Sequence, residues 1–136
     1  MSEMPSVYRP PIDGDTNFIL SSWLKSFRQS PSARNLDNTT YFNAHKKHVQ
    51  RTLTNSLITM IVSPEDANEI LGYAVFTHNP NVLHYIYIKS FARQLHLATD
   101  LIATLFPPGS EVIITHKNKN TPHISKHHTF HFYPYL

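Results

Sequence analysis

The stretch Ile86-Tyr87-Ile88-Lys89-Ser90-Phe91-Ala92-Arg93-Gln94-Leu95-His96-Leu97-Ala98 runs from an apolar, β-rich segment through a short loop into helical spacing. A strand-to-helix junction of this kind presents unpaired backbone N–H groups and the positive end of a helix dipole. Both suit a phosphate. The other store of chemistry is histidine, of which the chain has ten. His123, His127 and His131 fall four residues apart, with His128 adjacent and His116 nearby. On a helix that spacing gathers three imidazoles on roughly one face, and imidazole is a good ligand for zinc or nickel. However, Phe130–Tyr135 reads as a strand, which breaks such a helix before His131, and no Asp or Glu follows Glu111. A surface histidine cluster holding no metal is the preferred reading.

These residues need a frame, and the hydrophobic pattern supplies one. The prolines keep Tyr8-Arg9-Pro10-Pro11-Ile12 extended. Asp15 or Thr16 can then cap a helix whose stripe is Ile19, Trp23 and Phe27, with Leu20 and Leu24 beside it. Asn38-Thr39-Thr40 opens a second helix, with Phe42, His45, Val49 and Leu53 expected on one face. The period then shortens. Leu57–Val62, Ile70–His78 and Val82–Lys89 read as strands, and the short connection His78-Asn79-Pro80-Asn81 predicts an antiparallel hairpin. Leu95–Phe106 returns to helical spacing and stops at Pro107-Pro108-Gly109. Glu111–His116 is a further strand, followed by a polar, His-rich piece and a last strand before Leu136. The order predicts an α/β (α+β) fold: a mixed, mostly antiparallel central sheet with helices on its faces.

Length and composition set the outer limits. A chain of 136 residues suits one domain over 1–136, and 40% hydrophobic residues suffice for a core. No run approaches the roughly 20 apolar residues of a membrane span. With no cysteine there are neither disulfides nor thiolate metal sites. Met1-Ser2-Glu3-Met4-Pro5 lacks the pattern of a secretory signal, so a cytoplasmic protein is expected. The net charge of +3 favours anionic ligands in a general way. Lys46-Lys47 and Lys117–Lys119 are small, scattered groups rather than the stripe a nucleic-acid binder shows, so nucleic acid is not an expected partner.

The segment from Ile86 to Ala98 resembles the cofactor loop of the GNAT (N-acetyltransferase) superfamily. That family has a strand, about four residues, Arg or Gln, two free positions, Gly, one free position, and Gly or Ala. Arg93, Ala98 and the strand spacing match. Ile70-Leu71-Gly72-Tyr73-Ala74 is similar to the family's Gly-containing third core strand, and the paired N-terminal helices agree. His96 stands where the family has its first glycine, so its Cβ crowds a phosphate or its imidazole contacts one. Ser22-Trp23-Leu24-Lys25-Ser26-Phe27-Arg28 and Tyr133-Pro134-Tyr135-Leu136 look like small GNAT-like proteins encoded by bacteriophages, which would place the protein in the host cytoplasm.

The resemblance implies acetyl-CoA as acyl donor and an amine, on a small molecule or a protein, as acceptor. Backbone groups of Ile86, Tyr87 and Ile88 would hold the pantetheine arm. Those of Arg93, Gln94, Leu95, His96, Leu97 and Ala98 would hold the pyrophosphate. His84 or His78 would serve as base and Tyr133 or Tyr135 as acid. A second reading keeps the fold without catalysis, as a binding or assembly protein. An open sheet edge near the C-terminus suits a homodimer.

Overall fold

The computed structural model describes residues 7–27, 38–78, 80–89, 97–115 and 128–132. Along the chain these form β1 (Val7–Arg9), α1 (Asp15–Phe27), α2 (Asn38–Thr54), β2 (Leu57–Val62), β3 (Ile70–Thr77) and β4 (Val82–Ile88). They continue as α3 (Leu97–Leu105), β5 (Glu111–Ile114) and β6 (Thr129–Phe132). The six strands lie in one sheet in sequence order. The pairings from β1 to β4 are antiparallel, and β4–β5 and β5–β6 are parallel. This mixed, mostly antiparallel sheet with three helices is the fold class that the periodicity predicts. The β3–β4 hairpin is antiparallel, as its short connection requires. Among the described residues no helix is long and apolar enough to cross a membrane.

Each face of the sheet has its own core, because strand side chains alternate between faces. On one face Ile61, Ala74, Phe76, Ile86 and Ile88 pack with Leu97, Leu101, Ile102 and Phe106, in and just beyond α3. On the other, Met60, Tyr73, Val75 and Tyr85 pack with Ile19 and Trp23 of α1 and with Tyr41, Val49 and Leu53 of α2. Helix α3 therefore crosses over between two parallel strands, the connection that parallel pairing demands.

Helix α2 presents the expected face except at its first position. Tyr41 is fully buried, whereas Phe42 is 40% exposed, so Tyr41 in place of Phe42 packs with Val49 and Leu53, and His45 is half-buried. The tyrosine takes the inner place because its hydroxyl finds an acceptor there, donating to the Leu24 carbonyl of α1. Phe42 lies at 5.0 Å, edge to the Tyr41 ring.

Helix α1 is pinned to the sheet by two serines one turn apart. Ser22 Oγ lies 2.8 Å from the Tyr73 hydroxyl of β3, and Ser26 Oγ hydrogen-bonds the Tyr85 hydroxyl of β4. Between them the Trp23 indole stacks on the Tyr85 ring at 4.6 Å, with the planes 2° apart. The serine spacing places both hydroxyls on the face of α1 that meets adjacent strands.

An ion pair ties β1 to the start of α1. Arg9 Nη1 donates to Asp15 Oδ2 at 2.7 Å, and its Nε reaches the Ala67 carbonyl at 3.1 Å in the β2–β3 loop. The Asp15 carboxylate turns back to accept the Ile12 N–H at 2.8 Å. The Arg9 hydrogen bond is the main cause holding the Asp15 carboxyl below its ordinary range. Desolvation opposes it; the Ile12 N–H and the Arg9 charge add to it. A carboxyl with a depressed folded-state pKa contributes stability above its unfolded value, about 3.9. That stability is lost as pH falls through the lower folded value. Asp15→Asn should destabilise the protein by about 1.5–3 kcal/mol at neutral pH, the worth of hydrogen bonds to a charged group. Urea unfolding measures this. The gap between variant and wild type should close on acidification; a constant gap from pH 7 to the acid limit would contradict the assignment.

Candidate active site

The candidate site lies along the parallel pairing of β4 with β5. Among the described residues these strands pair at Val82–Ile113 and Leu83–Ile114. Backbone bonds close this short stretch, from Ile113 N to Asn81 O at 2.9 Å and from Thr115 N to Leu83 O at 3.2 Å. Strand β5 ends at Ile114, while β4 runs on to Ile88. Its last four residues keep their antiparallel partners on β3, from Val75–Tyr85 to Gly72–Ile88, and pair with no residue of β5. Among the described residues the β4–β5 pairing thus ends at Leu83 and Ile114, and the chain following β4 returns as helix α3. The first residue of α3, Leu97, is fully buried in the core that contains Ile86 and Ile88.

His84 lies beside the last described pair of β4 and β5. The β3–β4 register pairs Val75 with Tyr85 and Phe76 with Leu83, so His84 is the extra residue of a β-bulge. The bulge breaks the strict alternation that the sequence suggests. Leu83 and Ile86 both join the α3 core, while Tyr85 joins the core of α1 and α2. His84 Nδ1 lies 3.0 Å from Thr115 Oγ1, just past the end of β5. The same hydroxyl donates to the His84 carbonyl oxygen at 3.3 Å. One hydroxyl proton serves one acceptor, so both contacts hold together when Nδ1 carries the imidazole proton and Nε2 carries the lone pair. Burial, then the charge of His48 on α2, pushes the His84 pKa below the ordinary imidazole value. It is therefore neutral at pH 7, the state in which imidazole takes up a proton.

The other residues singled out by sequence fall in different places. His78 is exposed in the β3–β4 turn, at the end of β4 away from Ile88, with Nδ1 3.3 Å from Asn81 Oδ1. Its ring lies against Phe76 and Phe106. The structure therefore does not bring His78 together with His84. Ile86 and Ile88 are buried and Tyr87 half-buried in the part of β4 beyond β5. Arg93, Gln94, Leu95, His96, Tyr133 and Tyr135 lie outside the described residues, as does the Ala98 side chain. His116, His123 and His127 lie outside them too. His131 is on β6, where its Nε2 is 2.9 Å from Glu111 Oε1 on β5. No group of three metal-ligating side chains occurs among the described residues.

Thr115 and His48 are the site residues that sequence reasoning passes over. Thr115 is 31 positions from His84, and the contact depends on how far β5 extends beside β4. No local spacing carries that information. An open groove of about 470 Å³ lined by Pro80, Asn81, Glu111, Ile113, His131 and Phe132 lies where β4 and β5 begin.

No family model and no curated protein matches the chain. Among solved structures it is similar in shape to an acetyltransferase of the GNAT family from Staphylococcus aureus Mu50. The TM-score is 0.47 and the identity 10%, over 73% of this chain and 62% of that one. It is also similar to a structure from Desulfovibrio desulfuricans described as a GNAT-family acetyltransferase, with TM-score 0.46 and 12% identity. There the overlap is 74% of this chain and 63% of the other. The chain thus spans less than two thirds of either neighbour's length. Likenesses this loose do not decide a family.

Proposed function

We propose that the protein is an acyl-CoA-dependent N-acyltransferase that moves an acetyl group from acetyl-CoA to an amine. The observation that supports this reading best is a half-buried neutral histidine, His84, set on a β4 bulge and tethered to Thr115 beside the parallel β4–β5 pairing. The helix following β4 would give a phosphate a place at its N-terminal end. Acetyl-CoA, when bound, supplies a thioester whose carbonyl an amine attacks, forming the C–N bond and releasing the thiol.

In this reading the backbone of Ile86, Tyr87 and Ile88 holds the pantetheine arm. The segment Arg93, Gln94, Leu95, His96, Leu97 and Ala98 holds the pyrophosphate. An amine is protonated at neutral pH and must lose a proton before it can attack. His84 is assigned that proton, with Thr115 fixing the ring so that Nε2 receives it. Tyr133 is assigned the return of a proton to the departing thiolate.

The test is a thermal-shift titration with acetyl-CoA followed by turnover against a panel of amines. The reading predicts a raised melting temperature at millimolar acetyl-CoA and free thiol released with at least one amine. A folded protein whose melting temperature stays unchanged contradicts it. Binding without turnover moves the protein to a non-catalytic binding or assembly role.

A further inference from the structure

The open groove where β4 and β5 begin holds a carboxylate that the acyl-transfer reading leaves without a role. Its volume of about 470 Å³ is that of a small-molecule site rather than a macromolecular interface. Pro80, Ile113 and Phe132 give it apolar walls, and Asn81, Glu111 and His131 give it polar groups. Glu111 is the one formal anion among these lining residues. Its Oε1 meets His131 Nε2 at 2.9 Å, and among the described residues its Oε2 has no hydrogen-bond partner. The Glu111 side chain is 75% exposed, so a ligand reaches it from solvent.

This carboxylate stands on the same face of the sheet as Thr115. Strand side chains alternate, so Glu111, Ile113 and Thr115 share one face while Val112 turns to the α3 core. The backbone bonds from Ile113 N to Asn81 O and from Thr115 N to Leu83 O continue one ladder, so the alternation holds as far as Thr115. His131 joins that face as the register partner of Ile113. Thr115 Oγ1 in turn lies 3.0 Å from the His84 ring. Glu111 and Thr115 are four residues apart, about 13 Å along a strand. Ile113 lies between them and lines the groove. A carboxylate and an imidazole thus mark the two ends of an apolar track along β5.

We propose that the groove holds one ammonium of a long aliphatic diamine or polyamine against Glu111, while the amine at its other end reaches His84. The inference rests on the acyl-transfer reading and names its acceptor. The apolar walls suit a methylene chain, and Phe132 adds an aromatic ring, a surface that attracts cations. A charge-assisted hydrogen bond to Glu111 fixes the far ammonium. A monoamine lacks this second contact, and a short diamine does not span a track of about 13 Å. In the transfer the near ammonium loses one proton to His84. Its nitrogen forms the C–N bond as the thioester C–S bond breaks, and the second proton it sheds goes to the departing thiolate. The products are the monoacetylated amine and the free thiol, with the far ammonium still on Glu111.

The test titrates the wild type and Glu111→Gln with spermidine, putrescine and octylamine. Binding is read by amide NMR without cofactor, and turnover by thiol release with acetyl-CoA. Spermidine should shift Glu111, Ile113 and His131 in the wild type. It should bind Glu111→Gln about tenfold more weakly, the worth of one hydrogen bond to a charged group. Putrescine, too short, and octylamine, with one ammonium, should bind the wild type more weakly than spermidine by a similar factor. In turnover, the kcat/KM ratio of spermidine to octylamine should fall by about tenfold in the variant. Equal spermidine binding by wild type and variant, or equal binding of spermidine and octylamine by the wild type, overturns the proposal. Turnover of octylamine as fast as spermidine overturns it too and leaves acyl transfer standing. Glu111-dependent spermidine binding with no thiol released from any amine upholds the diamine site and overturns the acyl transfer. If the variant fails to fold, the three amines on the wild type still decide.

Discussion

Replacing Gly72 with valine is expected to destabilise the protein by about 3 kcal/mol, a large share of a domain's stability. Gly72 is fully packed in β3, opposite Ile61 of β2 and Ile88 of β4. A Cβ at this position would press into the Tyr87 carbonyl oxygen, stand 2.8 Å from Ile88 Cδ1 and 3.2 Å from Ile88 Cα. Two of these neighbours are backbone, so relief requires moving β4 itself. Overpacking that shifts backbone costs about 3 kcal/mol at the upper end of its usual range. Domains of this size are stable by only about 5–15 kcal/mol. The displaced segment is the part of β4 that carries Tyr87 and Ile88, so the candidate site is distorted together with the core. Near-UV circular dichroism and urea unfolding of Gly72→Val read the effect. Gly14→Ala is the comparison, since nothing lies within 4 Å of a Cβ there. Its cost is only that of a left-handed backbone at φ 94°, about 1 kcal/mol. Equal, mild effects at both positions would contradict the close approach at Gly72.

The second large effect concerns His84. If His84 takes the acceptor's proton, His84→Gln lowers kcat/KM by about 10²–10⁴-fold, the usual contribution of a positioned base. Thr115→Val, which keeps the shape and removes the hydroxyl, should give a smaller loss by freeing the ring's orientation. In the wild type the acid limb of the kcat/KM profile reports the free-enzyme base. Burial and His48 lower the His84 pKa, so this limb should lie below about 6.5 and move up toward it in His48→Gln. A limb that is unchanged in His84→Gln assigns the proton transfer elsewhere.

The two kinds of information divide along physical lines. Element order was readable because each strand and helix has one apolar face, and that face writes its period into the chain. Trp23, Val49, Tyr85 and Leu101 are core residues for this reason. Which of two adjacent aromatics faces inward is less securely written. Phe42 and Tyr41 are adjacent aromatics, and a hydroxyl acceptor on α1, absent from local sequence, decides that Tyr41 faces inward. The bulge at His84 is still less visible. Strict alternation would send neighbouring side chains to opposite faces, whereas pairing with β3 inserts an extra residue and resets the count. The His84–Thr115 contact and the Glu111–His131 pair join strands that meet through parallel pairing, and no short motif encodes such distances. The resemblance to a cofactor loop is the reverse case: it is carried by a short local motif, Arg93 and Ala98, and so is legible without knowledge of the fold.

Binding of an acyl-CoA along β4 is read most directly by an amide NMR titration of the wild-type protein with coenzyme A, which requires neither turnover nor a known acceptor. The account predicts saturable shifts concentrated at His84–Ile88, Thr115 and the first turn of α3 from Leu97. It predicts little change at Pro80, Glu111 and Phe132 around the groove at the opposite end of the strands. No saturable shift in the folded protein, or shifts centred on that opposite groove, would contradict it.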